Sequence, residues 1–196
     1  MLFLMKQIPN LITLFRLALL LPILILLALS PGESAFQGAF ALFCIAAFLD
    51  AADGWVARRW NCTSPAGAFL DPLTDKITCI LLLVFLACRH PAWVSLWLVL
   101  PLIAREFAVQ GFRSLAPCAG VLLRTDQLSK VKTLFQLISI GAVLAGLGWE
   151  NLAGIAFPAA QIFLLLAVGS GCLSLVMIFI RNADLWSRRP LPMEMR

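Results

Sequence analysis

The chain has 196 residues, 62% of them hydrophobic and 13% charged, with a formal net charge of +5. A mean hydropathy of +0.97 leaves more apolar surface than a water-soluble core could hide, which excludes a soluble enzyme and indicates a polytopic membrane protein. The positive excess gathers at the ends of apolar segments, so it argues for membrane orientation and against nucleic-acid binding.

A helix needs roughly 20 apolar residues to cross a bilayer. Six such stretches are predicted, at about 8–29, 35–58, 67–88, 91–112, 130–149 and 153–180. Together they define an all-α fold with six transmembrane helices in one membrane domain over residues 1–196. The first stretch contains Arg16 and has no Ala-x-Ala cleavage site, so it reads as a retained helix rather than a secretory signal. Residues 1–8 are expected to lie along the interface before it.

Turn chemistry separates the stretches at Ser30-Pro31-Gly32-Glu33-Ser34, at Asn61-Cys62-Thr63-Ser64-Pro65 and at Arg89-His90-Pro91. A longer polar connection is expected from Arg113 to Ser129. The last stretch exceeds one span, so its final turns should project from the bilayer, followed by a cytoplasmic tail over 181–196.

Lys6, Arg58, Arg59, the Arg113–Lys132 region, Arg181, Arg188, Arg189 and Arg196 fall on one side of such a topology. The other side receives Arg89 with Glu33 and Glu150. The positive-inside rule then puts both termini on the cytoplasmic side. Six cysteines (Cys44, Cys62, Cys79, Cys88, Cys118 and Cys172) show no CxxC spacing, and His90 is the one histidine. That composition argues against a zinc or thiol-redox site.

Against this background, four acids stand out. Asp50, Asp53, Asp71 and Asp75 occur within 26 residues that read D-x2-D-G-x2-A-R-x8-G-x3-D-x3-D. One carboxylate at the centre of a membrane helix costs roughly 2.5–3.5 kcal/mol. Four together cost on the order of 10 kcal/mol by simple summation, with mutual repulsion added. Bound divalent metal at a water-reachable helix end offsets this most economically. Residues three or four apart share a helix face, so each pair projects together, and a hairpin through 59–66 would bring the pairs side by side. Oxygen ligands without His or Cys select Mg²⁺, Mn²⁺ or Ca²⁺, and four carboxylates suit two ions. Gly54, Ala57 and Gly67 keep the helix surfaces low, and Arg58 offers a fork for phosphate. These are the parts of a phosphoryl-transfer site.

This spaced string resembles the complete signature of the CDP-alcohol phosphotransferase family, with every fixed position present. The resemblance implies a six-helix, usually dimeric membrane enzyme with two divalent cations, Mg²⁺ or Mn²⁺. Such an enzyme moves a phosphatidyl group from CDP-diacylglycerol to an alcohol and releases CMP. It further implies that Asp50, Asp53, Asp71 and Asp75 are metal ligands and that Asp75 is also the general base. Asp53, Gly54, Ala57, Arg58 and Gly67 would receive the cytidine nucleotide.

Outside the signature, Ile8-Pro9-Asn10-Leu11-Ile12-Thr13 with Arg16, Arg105-Glu106, Gly111-Phe112-Arg113 and Lys130-Val131-Lys132-Thr133 resemble the bacterial branch of the family whose acceptor is sn-glycerol 3-phosphate. Arg113, Lys130 and Lys132 are expected at cytoplasmic helix ends, where they could bind the acceptor's phosphate. Arg105 and Glu106 fall within an apolar run and either pair elsewhere or contact substrate. Arg16 either snorkels or lines the active cavity. One position departs from the branch, which often carries Gly where this chain has Ser129.

Two other readings stay open. Serine, inositol phosphate or phosphatidylglycerol could be the acceptor. A small cation transporter would instead distribute its acids through several helices, whereas helices one, five and six carry none near their middles. The lack of an Arg/Ser-rich leader points to a bacterial inner membrane.

Overall fold

The computed structural model describes the backbone of residues 2–29, 32–60, 65–118 and 127–181. The side chains of 2–14, 51–60, 65–72, 75, 115–118 and 127 lie outside the described set. All regular structure among the described residues is helical: α1 (Leu2–Leu29), α2 (Glu33–Trp60), α3 (Pro65–Arg89), α4 (Leu96–Cys118), α5 (Gln127–Gly148) and α6 (Glu150–Arg181). The chain is thus an all-α polytopic membrane protein. Glu33–Asp50, Leu128–Gly148 and Glu150–Arg181 are long and apolar enough to cross a bilayer, and Phe15–Leu29 is a shorter apolar stretch.

The helix ends follow local chemistry. Glu33 and Glu150 lie in the first turns of α2 and α6, while Arg89 and Arg181 lie in the last turns of α3 and α6, each matching the helix dipole. Pro65 opens α3, where its missing N–H removes no helical hydrogen bond. At 32 residues α6 is about 48 Å long, well beyond a ~30 Å hydrocarbon core.

Three expected boundaries need correction. The first helix begins at Leu2, so residues 2–8 continue the helix that follows them. The fourth begins at Leu96 instead of about 91, because Trp93 and Val94 donate their N–H groups back to the His90 carbonyl in a tight turn. It also runs on to Cys118, which shortens the expected polar connection.

The six helices assemble by matching small and large side chains. α5 packs most extensively on α6, where Ala156, Ala160, Leu164, Ala167, Gly171 and Ser174 form a buried, mostly small-residue face. Without a hydrophobic driving force between helices in lipid, such close backbone approach supplies the attraction. The core then runs through Ile23 of α1, Ala39 of α2, Leu82 and Leu86 of α3, Val99 of α4 and Ile140 and Leu144 of α5.

At one end of the bundle, Gln37 Nε2 donates to the Gly148 carbonyl at 2.7 Å, and Gln161 Nε2 donates to the Trp93 carbonyl at 2.8 Å. Edge-on contacts of Phe36 with His90 and of Trp93 with Phe157 close the same end. This end is a packing latch.

Gly146 is central to it, since a Cβ there would overlap the Trp93 ring and stand 2.8 Å from Ala156 Cβ. Gly146→Val should therefore lower stability by about 1–3 kcal/mol through overpacking. Thermal unfolding in detergent reads this, and an unchanged midpoint would contradict the packing described.

Candidate active site

Asp50 lies where the apolar stretch of α2 ends. Its Oδ1 is 2.6 Å from Nη1 of Arg16 on α1, with the arginine side chain 9% exposed and the aspartate 34%. Each charge offsets part of the other's desolvation, and this is how an arginine persists inside an apolar helix. Of the two roles open to Arg16 from the sequence, the structure selects the cavity-lining one.

The pair opens onto a cavity of about 40 Å³ lined by Arg16, Phe43, Ala46, Ala47, Asp50, Thr78, Cys79, Thr133 and Leu137. It has room for roughly two or three waters by the usual volume per site. Residues of α1, α2, α3 and α5 meet there, so Asp50 shares one cavity with Thr78 and Cys79, which stand one turn after Asp75 in α3.

Helical backbone runs unbroken through both aspartate pairs, Asp50 and Asp53 in α2 and Asp71 and Asp75 in α3. The spacings of three and four residues therefore operate in the helical register expected of them. Gly54, Ala57 and Arg58 continue α2, and Gly67 lies in the first turn of α3. The side chains of Asp53, Ala57, Arg58, Asp71 and Asp75 lie outside the described residues, as do Gly54 and Gly67 beyond their helical placement. Among the described residues no three of His, Cys, Asp and Glu come together.

A second polar centre joins α3, α4, α5 and α6. Glu106 Oε1 accepts from Nζ of Lys132 and from Nη1 of Arg105, the latter at 3.0 Å, and Oε2 lies 3.4 Å from Nζ of Lys76. Arg105 Nη2 also donates to the hydroxyls of Ser129 and of Ser174, the latter at 2.7 Å. Lys76 donates to Gln110 Oε1 at 3.2 Å. Gly171 on α6 leaves space for the aliphatic stem of Lys132, whose Cδ would be 3.4 Å from a Cβ there. Arg105 and Glu106, whose roles the sequence left open, thus pair with each other and tie three further helices together.

The expected phosphate-binding trio is divided. Lys132 is buried against Glu106, whereas Arg113 on α4 and Lys130 on α5 are exposed. Ser129, the position that departs from the usual Gly, serves as an acceptor for Arg105. Lys76 and Ser174 were missed by sequence reasoning. Lys76 directly follows the last signature aspartate, a signal that could have been used; Ser174 offered none.

Comparison with known proteins agrees with the signature. A family model described as CDP-alcohol phosphatidyltransferase matches residues 6–173. The CDP-diacylglycerol–glycerol-3-phosphate 3-phosphatidyltransferase of Bacillus subtilis (strain 168) is 36% identical over 177 residues, covering 84% of this chain and 89% of its own. The proteins of that name from Salmonella choleraesuis (strain SC-B67) and Escherichia coli (strain K12) are each 35% identical over 156 residues, covering 76% of this chain and 84% of theirs. The chain belongs to the CDP-alcohol phosphatidyltransferase family. It is therefore a membrane-embedded transferase, of a family that uses divalent metal ions.

Removing one partner from a buried ion cluster strands the others. Glu106→Leu should destabilise the fold by about 3–5 kcal/mol. The readout is the recovered monodisperse fraction and the unfolding midpoint in detergent. Wild-type values for both would mean that the carboxylate does not hold the junction.

Proposed function

We propose that this chain transfers the phosphatidyl group of CDP-diacylglycerol to sn-glycerol 3-phosphate, giving phosphatidylglycerol phosphate and CMP. One observation carries the proposal. The unbroken signature from Asp50 to Asp75 lies in a chain that is similar, over most of its length, to enzymes bearing that name.

The donor set fits a hard divalent ion. Every fixed acid in the signature is a carboxylate, and Asp50, its described member, is partly exposed beside Arg16. Asp50, Asp53, Asp71 and Asp75 would hold two such cations, Mg²⁺ or Mn²⁺. When bound, these supply charge neutralisation for the diphosphate and for the departing CMP.

The remaining work belongs to the chain. Gly54, Ala57 and Gly67 leave space for the nucleotide, Asp53 contacts it, and Arg58 holds its phosphates through a bidentate guanidinium. Arg16 keeps Asp50 oriented. Asp75 takes the proton from the acceptor's primary hydroxyl. That hydroxyl attacks the phosphorus bonded to diacylglycerol, and the bond to CMP breaks. Arg113 and Lys130 meet the acceptor's phosphate from the exposed side, with Lys132 behind them in the buried cluster.

The acyl chains stay in the bilayer while both polar substrates arrive from the cytosol. Charge bias along the sequence supports six crossings with both termini and the site facing the cytoplasm of a bacterial inner membrane. A homodimer follows from the family pattern, and the whole chain acts as one catalytic domain. Another acceptor, namely serine, inositol phosphate or phosphatidylglycerol, would use the same chemistry.

Purified protein given labelled CDP-diacylglycerol and each acceptor in turn tests this. CMP release with glycerol 3-phosphate alone is the expected result, and release with only another acceptor would replace the proposal. Chelation of divalent ions should abolish turnover, and added Mg²⁺ or Mn²⁺ should restore it. Asp75→Asn should lower kcat by about 10²–10⁴-fold, the usual contribution of a general base, while the protein still inserts. Near-normal CMP release from that variant would remove Asp75 from its role.

A further inference from the structure

We infer that Lys76 is a further substrate-binding residue, taking the phosphomonoester of the acceptor alcohol; the inference rests on the acceptor reading above. Among the described residues, the buried junction holds three cations, Lys76, Arg105 and Lys132, against the single carboxylate of Glu106. An excess of cations around one acid attracts a further anion. Among these cations only Lys76 is reachable, with a side chain 23% exposed, whereas Arg105 and Lys132 stand at 4% and 3%.

An ammonium carries three donors. Gln110 engages one at 3.2 Å, and Glu106 Oε2 faces the same nitrogen at 3.4 Å without accepting a hydrogen bond. Donor capacity therefore remains on a cation that its neighbours already orient. Glu106, Gln110 and Arg113 follow one another at i, i+4 and i+7 along α4, a single helix stripe. That stripe leads from the buried carboxylate past Lys76 to the exposed guanidinium of Arg113.

Lys76 also directly follows Asp75 in α3, displaced from it by about 100° around the helix axis. The acceptor needs its hydroxyl at the base and its phosphate a three-carbon chain away. A cation beside the base but on a different azimuth meets that requirement. Gln110 and Glu106 are positioning residues in this arrangement, since they act through the lysine.

The test is steady-state kinetics of purified full-length protein, varying glycerol 3-phosphate and CDP-diacylglycerol separately. Lys76→Gln should raise the KM for glycerol 3-phosphate about 10- to 100-fold, the loss of one charge-assisted hydrogen bond. The KM for CDP-diacylglycerol should stay within about twofold, because uniform damage would move both. Lys76→Arg should recover most of the loss. Gln110→Leu, at an exposed position, should raise the acceptor KM by about 3- to 10-fold through misdirection of the ammonium.

Wild-type turnover of glycerol 3-phosphate with an unchanged acceptor KM in Lys76→Gln overturns the inference alone. A parallel rise in both KM values overturns it too. If Lys76→Gln is not recovered folded, an unchanged acceptor KM in Gln110→Leu overturns it. Failure of the wild-type protein to use glycerol 3-phosphate refutes the acceptor reading, and the inference falls with it.

Discussion

Charge survives inside an apolar helix bundle only where an opposite charge meets it, and among the described residues Glu106 satisfies that condition most fully. Its two oxygens face Lys132 on α5, Lys76 on α3 and Arg105 beside it on α4. Arg105 carries the connection on to Ser129 and Ser174, so one carboxylate fixes the mutual rotation of four helices. Apolar packing alone would not do this, because lipid chains and leucines compete on equal terms for a helix face. An ion cluster accepts one register.

The second polar centre, Arg16 with Asp50, adjoins the first along α3 and α5. Both helices serve both centres. On α5, Lys132 goes to Glu106 while Thr133 lines the cavity beside Asp50. On α3, Lys76 goes to Glu106 while Thr78 and Cys79 line that cavity. A proposed metal-bearing centre and a proposed acceptor-bearing centre are thereby held side by side on the same two helices. Their relation is set by helical register rather than by loop conformation. Rigid elements of this kind keep two substrates in a constant relation through the transfer.

The opposite end of the bundle contains no comparable charge cluster among its described residues. It is closed by glutamine-to-carbonyl hydrogen bonds, edge-on aromatic pairs and a glycine that admits Trp93. Structural rigidity there comes from steric fit, which leaves the cationic and acidic chemistry to the other half.

Much was legible from the sequence by itself: the all-α membrane class, six helices, most of their extents, and the family. These depend on local quantities, namely apolar run length, turn residues and the spacing of acids along a helix, and a linear chain displays all of them. The partners of Arg16, Arg105, Glu106 and Lys132 were not legible, nor was the importance of Lys76 and Ser174. Two charges on different helices meet only when both helices adopt one rotation and one axial register. Small faces such as that of α6 and the fit at Gly146 and Gly171 bring the helices close, and the ion cluster then selects one rotation and register. The sequence therefore determined which charges must be neutralised within the bundle; only the tertiary structure decided which of them neutralise each other.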